Sequence, residues 1–221
     1  MRPVLVLRPE PGARATVERA RDRGLSAIPI PLFEIQSLEW DAPDPAGFEG
    51  VLLTSANAVR FAGKQLESLR TLTAYAVGES TAEAAREAGF SIAATGDAGV
   101  DRLLGSIDPE IRLAHLCGED RRAPDRPPQS VTPIVVYRAT PIEAPDLSSA
   151  PGTVALIHSP RAGRRFADLV RDRGSIAIAA ISQAAGEAVG GGWQTVEVAG
   201  EPTDDALLAV AARLCNNPLP E

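Results

Sequence analysis

Cysteine and histidine are scarce: Cys117, Cys215, His115 and His158 are all the chain holds of either type. So few, so scattered, they supply neither a disulfide framework nor a credible metal cluster, and a reducing cytoplasm is the natural setting. No apolar run approaches the roughly 18 residues of a membrane span, and no signal-peptide layout precedes the first strand. Positive charge is in deficit, with 22 Lys and Arg against 29 Asp and Glu, a net charge of -7 and a pI near 5.0. A nucleic acid or an anionic membrane is therefore not an expected partner, although a local basic cleft stays open. A Walker-type loop is missing, and so is a nucleophile–base–acid triad. Gly190-Gly191-Gly192 follows a helix instead of a strand, so it reads as helix termination and not as a dinucleotide fingerprint. His115 lies inside an apolar strand as a core residue. His158 stands at a strand end, where a ligand role remains open.

What is present is ordinary globular composition, 44% apolar and 23% charged over 221 residues, enough for one or two domains with a buried core. It is arranged twice. Val51-Leu52-Leu53-Thr54-Ser55-Ala56-Asn57-Ala58-Val59 returns in altered form as Val154-Ala155-Leu156-Ile157-His158-Ser159-Pro160-Arg161-Ala162. The offset of about 104 residues persists from Val77 to Ile181, from Ser91 to Thr195 and from Asp101 to Asp205. Each copy opens with a short apolar run ending at a hydroxyl and then a helical segment, the pattern of a buried parallel strand feeding an N-capped helix.

Val4-Leu5-Val6-Leu7 predicts a strand, Ala13 to Arg23 a helix capped by Gly24, and Ser26 to Ile30 a second strand whose prolines place it at a sheet edge. After the extended Pro31 to Gln36 and a Pro- and Asp-rich linker, strands are predicted at Val51-Leu53, Ala74-Val77, Ser91-Ala94, Arg112-Leu116 and Val131-Val136. Helices fall at Asn57 to Leu69, Thr81 to Ala88 and Val100 to Ile107. The prolines of Gly118 to Ser130 leave a loop or single turn there. The second copy predicts strands at Val154-Ile157, Ile176-Ile181 and Thr195-Val198, with helices at Ala162-Arg173, Ala184-Gly190 and Asp204-Leu214; Asn216 to Glu221 reads as a disordered tail. Alternating strands and helices imply parallel sheets covered on both faces. Three strands in the second copy and two in the N-terminal arm match the five of the middle unit. The economical topology is a discontinuous domain, 1–36 with 138–221, into which 37–137 is inserted. The two crossings between them run in opposite directions as an antiparallel ladder. Two sequential lobes are the alternative.

Ligands of open parallel sheets bind beyond the carboxyl ends of the strands. Polar residues stand there in a consistent set: Arg8; Thr54 and Ser55; Gly78 to Thr81; His158 and Ser159; Ser182 and Gln183. Each opens a helix, so hydroxyls and backbone N–H groups form anion-binding corners. Each hydroxyl taken singly also reads as a plain N-cap.

The order and spacing of Leu53-Thr54-Ser55-Ala56-Asn57-Ala58-Val59, Ala76-Val77-Gly78-Glu79-Ser80-Thr81-Ala82, Val136-Tyr137-Arg138 and Ser159-Pro160, with Arg8-Pro9 and Pro31-Leu32-Phe33, resemble the uroporphyrinogen-III synthase family over nearly the whole chain. The resemblance implies two flavodoxin-like doubly wound α/β domains joined by a two-stranded linker, with a tetrapyrrole bound between them. It implies cyclisation of the linear tetrapyrrole hydroxymethylbilane to uroporphyrinogen III with loss of water and inversion of the last pyrrole ring. No cofactor and no metal are implied. Ser55, Gly78, Thr81, Ser159 and Tyr137 fall on cleft positions of the family, and Ser182 on a turn where Ala184 and Ala185 replace the hydroxyls of some members. Tyr137 is the expected catalytic hydrogen-bond donor. For the substrate's eight carboxylates Arg8 and Arg138 are the foremost partners, with Arg60, Arg161 and Arg164 behind them. The Gly118 to Ser130 segment departs from the family, which usually has a helix there. A cytoplasmic monomer is expected. The rival reading is a non-enzymatic module of two α/β lobes closing on a small anion.

Overall fold

Short runs of buried branched residues become parallel strands here because helices cover both of their faces. The computed structural model describes residues 1–96, 99–121 and 123–216. In chain order its elements are β1 (Val4–Val6), α1 (Gly12–Asp22), β2 (Ala27–Pro29), β3 (Phe33–Ser37), β4 (Gly50–Leu53), α2 (Ala56–Phe61), β5 (Thr73–Val77), α3 (Glu79–Glu87), β6 (Ile92–Gly96), α4 (Val100–Leu104), β7 (Arg112–Gly118), β8 (Ser130–Pro141), β9 (Val154–Ile157), α5 (Pro160–Leu169), β10 (Ala177–Ala180), α6 (Gln183–Ala188), β11 (Thr195–Val198) and α7 (Asp204–Asn216). They divide into two units, Met1–Glu34 with Pro141–Glu221, and Ile35–Thr140.

The first unit holds a five-stranded sheet in the order β11-β10-β9-β1-β2, parallel throughout. Val4 of β1 aligns with Ala27 on one side and Val154 on the other, so the two ends of the chain share one sheet. Proline in β2 is tolerated because β2 is an edge. One face buries Val4, Val6, Val154, Leu156, Ala177 and Ala179 against α1 and α7, which contribute Ala13, Val17, Leu207, Leu208, Ala211 and Leu214. Full burial of each larger aliphatic side chain contributes about 1.5–3 kcal/mol before entropy is charged. Arg2 closes the amino-terminal edge, donating to the carbonyls of Gly152, Thr153 and Ser175 and to Gln194 Oε1.

The second unit holds a six-stranded sheet in the order β3-β8-β7-β4-β5-β6, parallel from β8 to β6. Val51, Leu53, Ala74, Leu116 and Val136 face α2, α3 and the 3-10 turn Lys64–Leu69, while Leu52 and Leu113 face Leu103 and Leu104 of α4. That alternation is the period of two of a sheet covered on both sides. β3 lies beside β8: the Leu38 N–H donates to the Val136 carbonyl and the Ile142 N–H to that of Leu32, an antiparallel register. β8 runs unbroken for 12 residues, so the strand expected at Val131-Val136 and the crossing that follows it are one element.

Three helix lengths differ from expectation for local reasons. Asn57 to Leu69 is broken because Gly63 has a φ of +73°, a left-handed conformation that stops α2 and leaves a 3-10 turn. The fourth helix ends at Leu104, where Ser106 Oγ bonds back to the Leu103 carbonyl. α5 ends at Leu169 because Val170 is extended, and Arg173 folds back to donate to the carbonyls of Ala167 and Val170. Among the described residues of 119–129 there is no helix. Of the expected tail, Asn216 ends α7 and 217–221 lie outside the described residues.

Candidate functional site

In the second unit the polar strand ends are built from β4, β5, β7 and β8. Ser55 follows β4 and caps α2, its Oγ accepting from the Asn57 N–H at 3.2 Å. The same side chain hydrogen-bonds Tyr137, which lies within β8, half-buried and packed against the core. Tyr137 is thus inside a strand and not at its end, a consequence of the uninterrupted β8. Burial pushes its phenol pKa up, the Ser55 bond opposes that rise, and the group is a neutral donor at pH 7. The ring lies over Gly118 at the end of β7, where a Cβ would stand 2.7 Å from Tyr137 Cζ. A register shift at Cys117/Gly118 brings Tyr137 opposite that glycine. Thr54, beside Ser55, bonds the buried His115 ring at 3.0 Å.

Gly78 follows β5 with φ +83°, and its carbonyl receives the N–H groups of Thr81 and Ala82 at 3.1 Å. Gly78 is half-buried, whereas Thr81 is only 4% exposed, so glycine forms the rim and threonine lies behind it. Arg138 is exposed, and as the neighbour of Tyr137 on a strand it emerges on the opposite face. Arg60 is exposed on α2.

In the first unit Ser159 caps α5 by accepting from the Ala162 N–H at 3.1 Å, and Ser182 caps α6 by accepting from that of Ala185 at 3.3 Å. A hydroxyl that accepts in this way still has its O–H to donate, so capping and ligand binding are not exclusive. Arg161 stacks on the Phe33 ring at 4.5 Å, and Arg164 is exposed. The structure adds a cluster the sequence did not display. Asp204, first residue of α7, accepts from His158 Nε2 at 2.8 Å, Thr16 Oγ1 at 3.0 Å and Arg19 Nη1 at 2.7 Å, and stands 3.8 Å from Arg8 Nη1. Burial would raise its carboxyl pKa; the His158 hydrogen bond and the Arg19 and Arg8 guanidiniums outweigh that and hold it well below the carboxylate range. Burial also keeps His158 neutral, its pKa lowered against the pull of Asp204. The available signal was Thr16, a polar residue on the inward stripe of α1 between Ala13 and Ala20; Asp204 by itself reads as an ordinary acidic first turn.

Among the described residues no group of His, Cys, Asp and Glu is placed to hold a metal, and no helix is long and apolar enough to cross a membrane. Cys117 and Cys215 are free and buried.

A family model described as uroporphyrinogen-III synthase HemD matches residues 14–209. A curated uroporphyrinogen-III synthase of Chlorobaculum parvum is 33% identical over 119 residues, 49% of this chain and 48% of its own, so the match spans about half the length of that relative. Among solved structures, the Helicobacter pylori uroporphyrinogen-III synthetase superposes with a TM-score of 0.67 at 16% identity, covering 97% of this chain and 100% of that one. A mutant uroporphyrinogen III synthase from the extremely thermophilic bacterium Thermus thermophilus superposes with a TM-score of 0.53 at 17% identity, covering 97% and 100%. Identities this low speak for the fold alone.

Proposed function

The chain belongs to the uroporphyrinogen-III synthase family, and from that premise we propose that it closes hydroxymethylbilane to uroporphyrinogen III with loss of water and inversion of the last pyrrole ring. The family match over residues 14–209 carries this reading. The chemistry asks little of acid and base groups, because an electron-rich pyrrole already helps expel the hydroxyl; it asks for a fixed geometry that favours one closure over another.

In this reading Tyr137 is the donor to the departing hydroxyl. The Asn57 N–H binds Ser55 Oγ, Ser55 in turn donates to the phenol oxygen, and Tyr137 keeps its own proton for the substrate. Hydrogen bonds in such a series polarise one another and strengthen the last donor. As the C–O bond of the hydroxymethyl group breaks, the leaving oxygen takes up a proton and departs as water, leaving a methylene carbon conjugated to its pyrrole. The last ring attacks that methylene through the ring carbon that already carries the chain; the old bond from that ring carbon to its neighbouring methylene then breaks and re-forms at the ring's free α-carbon, whose proton is lost, so the ring ends inverted. The donors proposed for the substrate's carboxylates are Arg8, Ser159 and Ser182, and Ser55 and Gly78; Thr81 supports the Gly78 turn through its N–H, and Arg138 emerges on the sheet face opposite Tyr137. We place the protein in the cytoplasm as a monomer, working without nucleic acid or membrane. Its two free cysteines suit a reducing compartment and its net negative charge disfavours polyanions.

The test is incubation with freshly made hydroxymethylbilane and separation of the uroporphyrinogen isomers. Excess of isomer III over the spontaneous isomer I is expected. A product mixture identical to the enzyme-free control would refute the assignment.

A further inference from the structure

We propose that Asp204 and Gly12 are positioning residues that hold the Arg8 guanidinium in one place at the strand ends of the first unit, ready for a substrate carboxylate. The proposal rests on the synthase reading for the identity of the ligand. It stands on two independent observations about the same side chain.

One is electrostatic. Arg8 follows β1 and its guanidinium lies against the first turn of α1, where the helix dipole disfavours a cation. Asp204 offsets that from the first turn of α7, the end of a helix where a carboxylate is favoured. Its oxygens are already held by Thr16, His158 and Arg19 at 2.7 to 3.0 Å, so the carboxylate is fixed in direction and Arg8 is drawn toward it by a longer contact of 3.8 Å. Arg8 remains 34% exposed, whereas Asp204 is 13% exposed and acts from behind it.

The other is steric. A Cβ on Gly12 would lie 2.6 Å from Arg8 Nε and 2.9 Å from its Cζ and Nη2. The guanidinium occupies the space that any other residue at 12 would fill. The atoms in the way are the far end of a flexible side chain, so Gly12→Ala is accommodated by moving Arg8 and leaves α1 and the sheet intact.

The experiment is a double-mutant cycle on the full-length protein. Asp204→Asn, Gly12→Ala and Arg8→Gln are made singly, and the first two also in the Arg8→Gln background. KM and kcat are measured with hydroxymethylbilane, and the Kd of uroporphyrin III, the oxidised octacarboxylate of the product, by fluorescence. Asp204→Asn and Gly12→Ala are each expected to raise KM and Kd about five- to tenfold, less than tenfold being under 1.4 kcal/mol of binding, with a smaller change in kcat. Neither adds anything once Arg8 is Gln. Effects that add fully to Arg8→Gln, or that fall on kcat with KM and Kd untouched, overturn the proposal. Gly12→Ala keeps the test alive should Asp204→Asn unfold, since it changes no charge and buries nothing polar. A protein that binds uroporphyrin III with these couplings but does not turn over the bilane refutes the synthase reading and leaves the positioning role standing. Arg8→Gln with unchanged KM and Kd overturns the positioning role alone.

Discussion

At the residue scale Tyr137 and Gly118 form one steric pair, because the ring has its position only where β7 ends without a side chain. Tyr137→Phe keeps the ring and removes the donor, and is expected to lower the initial rate about 10- to 100-fold, the low end for loss of a proton-donating group. Gly118→Ala is expected to cost a similar factor by displacing the ring, and to add little on top of Tyr137→Phe. Initial rates and thermal midpoints of the three variants check this; an unchanged rate for Tyr137→Phe removes the phenol from the mechanism. His115 supplies a pH prediction. Burial, with a smaller contribution from Arg121, lowers its pKa from 6.5 to about 4, so between those values the unfolded chain binds the proton and the folded chain does not. Stability therefore falls as pH falls through that window, by about 2 kcal/mol between pH 7 and pH 5. The buried His158 carries the same sign, and Asp204 adds a loss at lower pH still, as its carboxylate is protonated. Urea midpoints at pH 7 and pH 5 measure the slope, and His115→Gln is expected to flatten it; an identical slope in that variant refutes the assignment to His115.

Helix α5 shows at the element scale how capping and binding can be separated at one position. Ser159→Ala removes the cap and is expected to cost about 1 kcal/mol of stability. Ser159→Asp retains a capping oxygen while placing a negative charge where a substrate carboxylate is proposed to sit, so stability holds and KM rises severalfold. Chemical denaturation beside steady-state kinetics distinguishes the two, and a Ser159→Asp protein with wild-type KM would confine Ser159 to capping. Strands and helix starts were legible in the sequence: all ten apolar runs read as strands are strands, and the Ser55, Ser159 and Ser182 caps start their helices. Helix ends were not. Gly63, Val170 and Arg173 stop or replace turns through backbone conformation and through bonds to distant carbonyls, neither of which leaves an apolar period. The same limit applies to the candidate site. Strand-end hydroxyls are visible as punctuation after apolar runs, but Asp204 meets Thr16 across 188 positions of sequence, and Gly118 matters only through a ring that lies over it.

At the scale of the whole molecule, the pairing of β1 with both β2 and β9 makes a prediction about pieces. We propose that residues 37–137 fold as an inserted domain and that 1–36 and 138–221 fold only together. The fragment 37–137, which carries the run of strands β4 to β8 to Tyr137, is expected to unfold cooperatively by itself. Fragment 138–221 lacks β1 and α1, leaving β9 with an open edge and the face of Leu156 and Leu207 half covered, so it gains cooperativity only when 1–36 is added. Cooperative unfolding of 138–221 alone would overturn this division. The same pairing sets an order of events at birth. β1, at Val4–Val6, leaves the ribosome well before β9, which covers its second edge and begins at Val154. At about 5–20 residues per second the interval is on the order of ten seconds, long against the microseconds to seconds in which small domains fold. Throughout it Val4, Leu5 and Val6 offer a bare apolar edge to the crowded surroundings of translation, and the speed of the ribosome, more than any folding barrier, sets when that edge is closed.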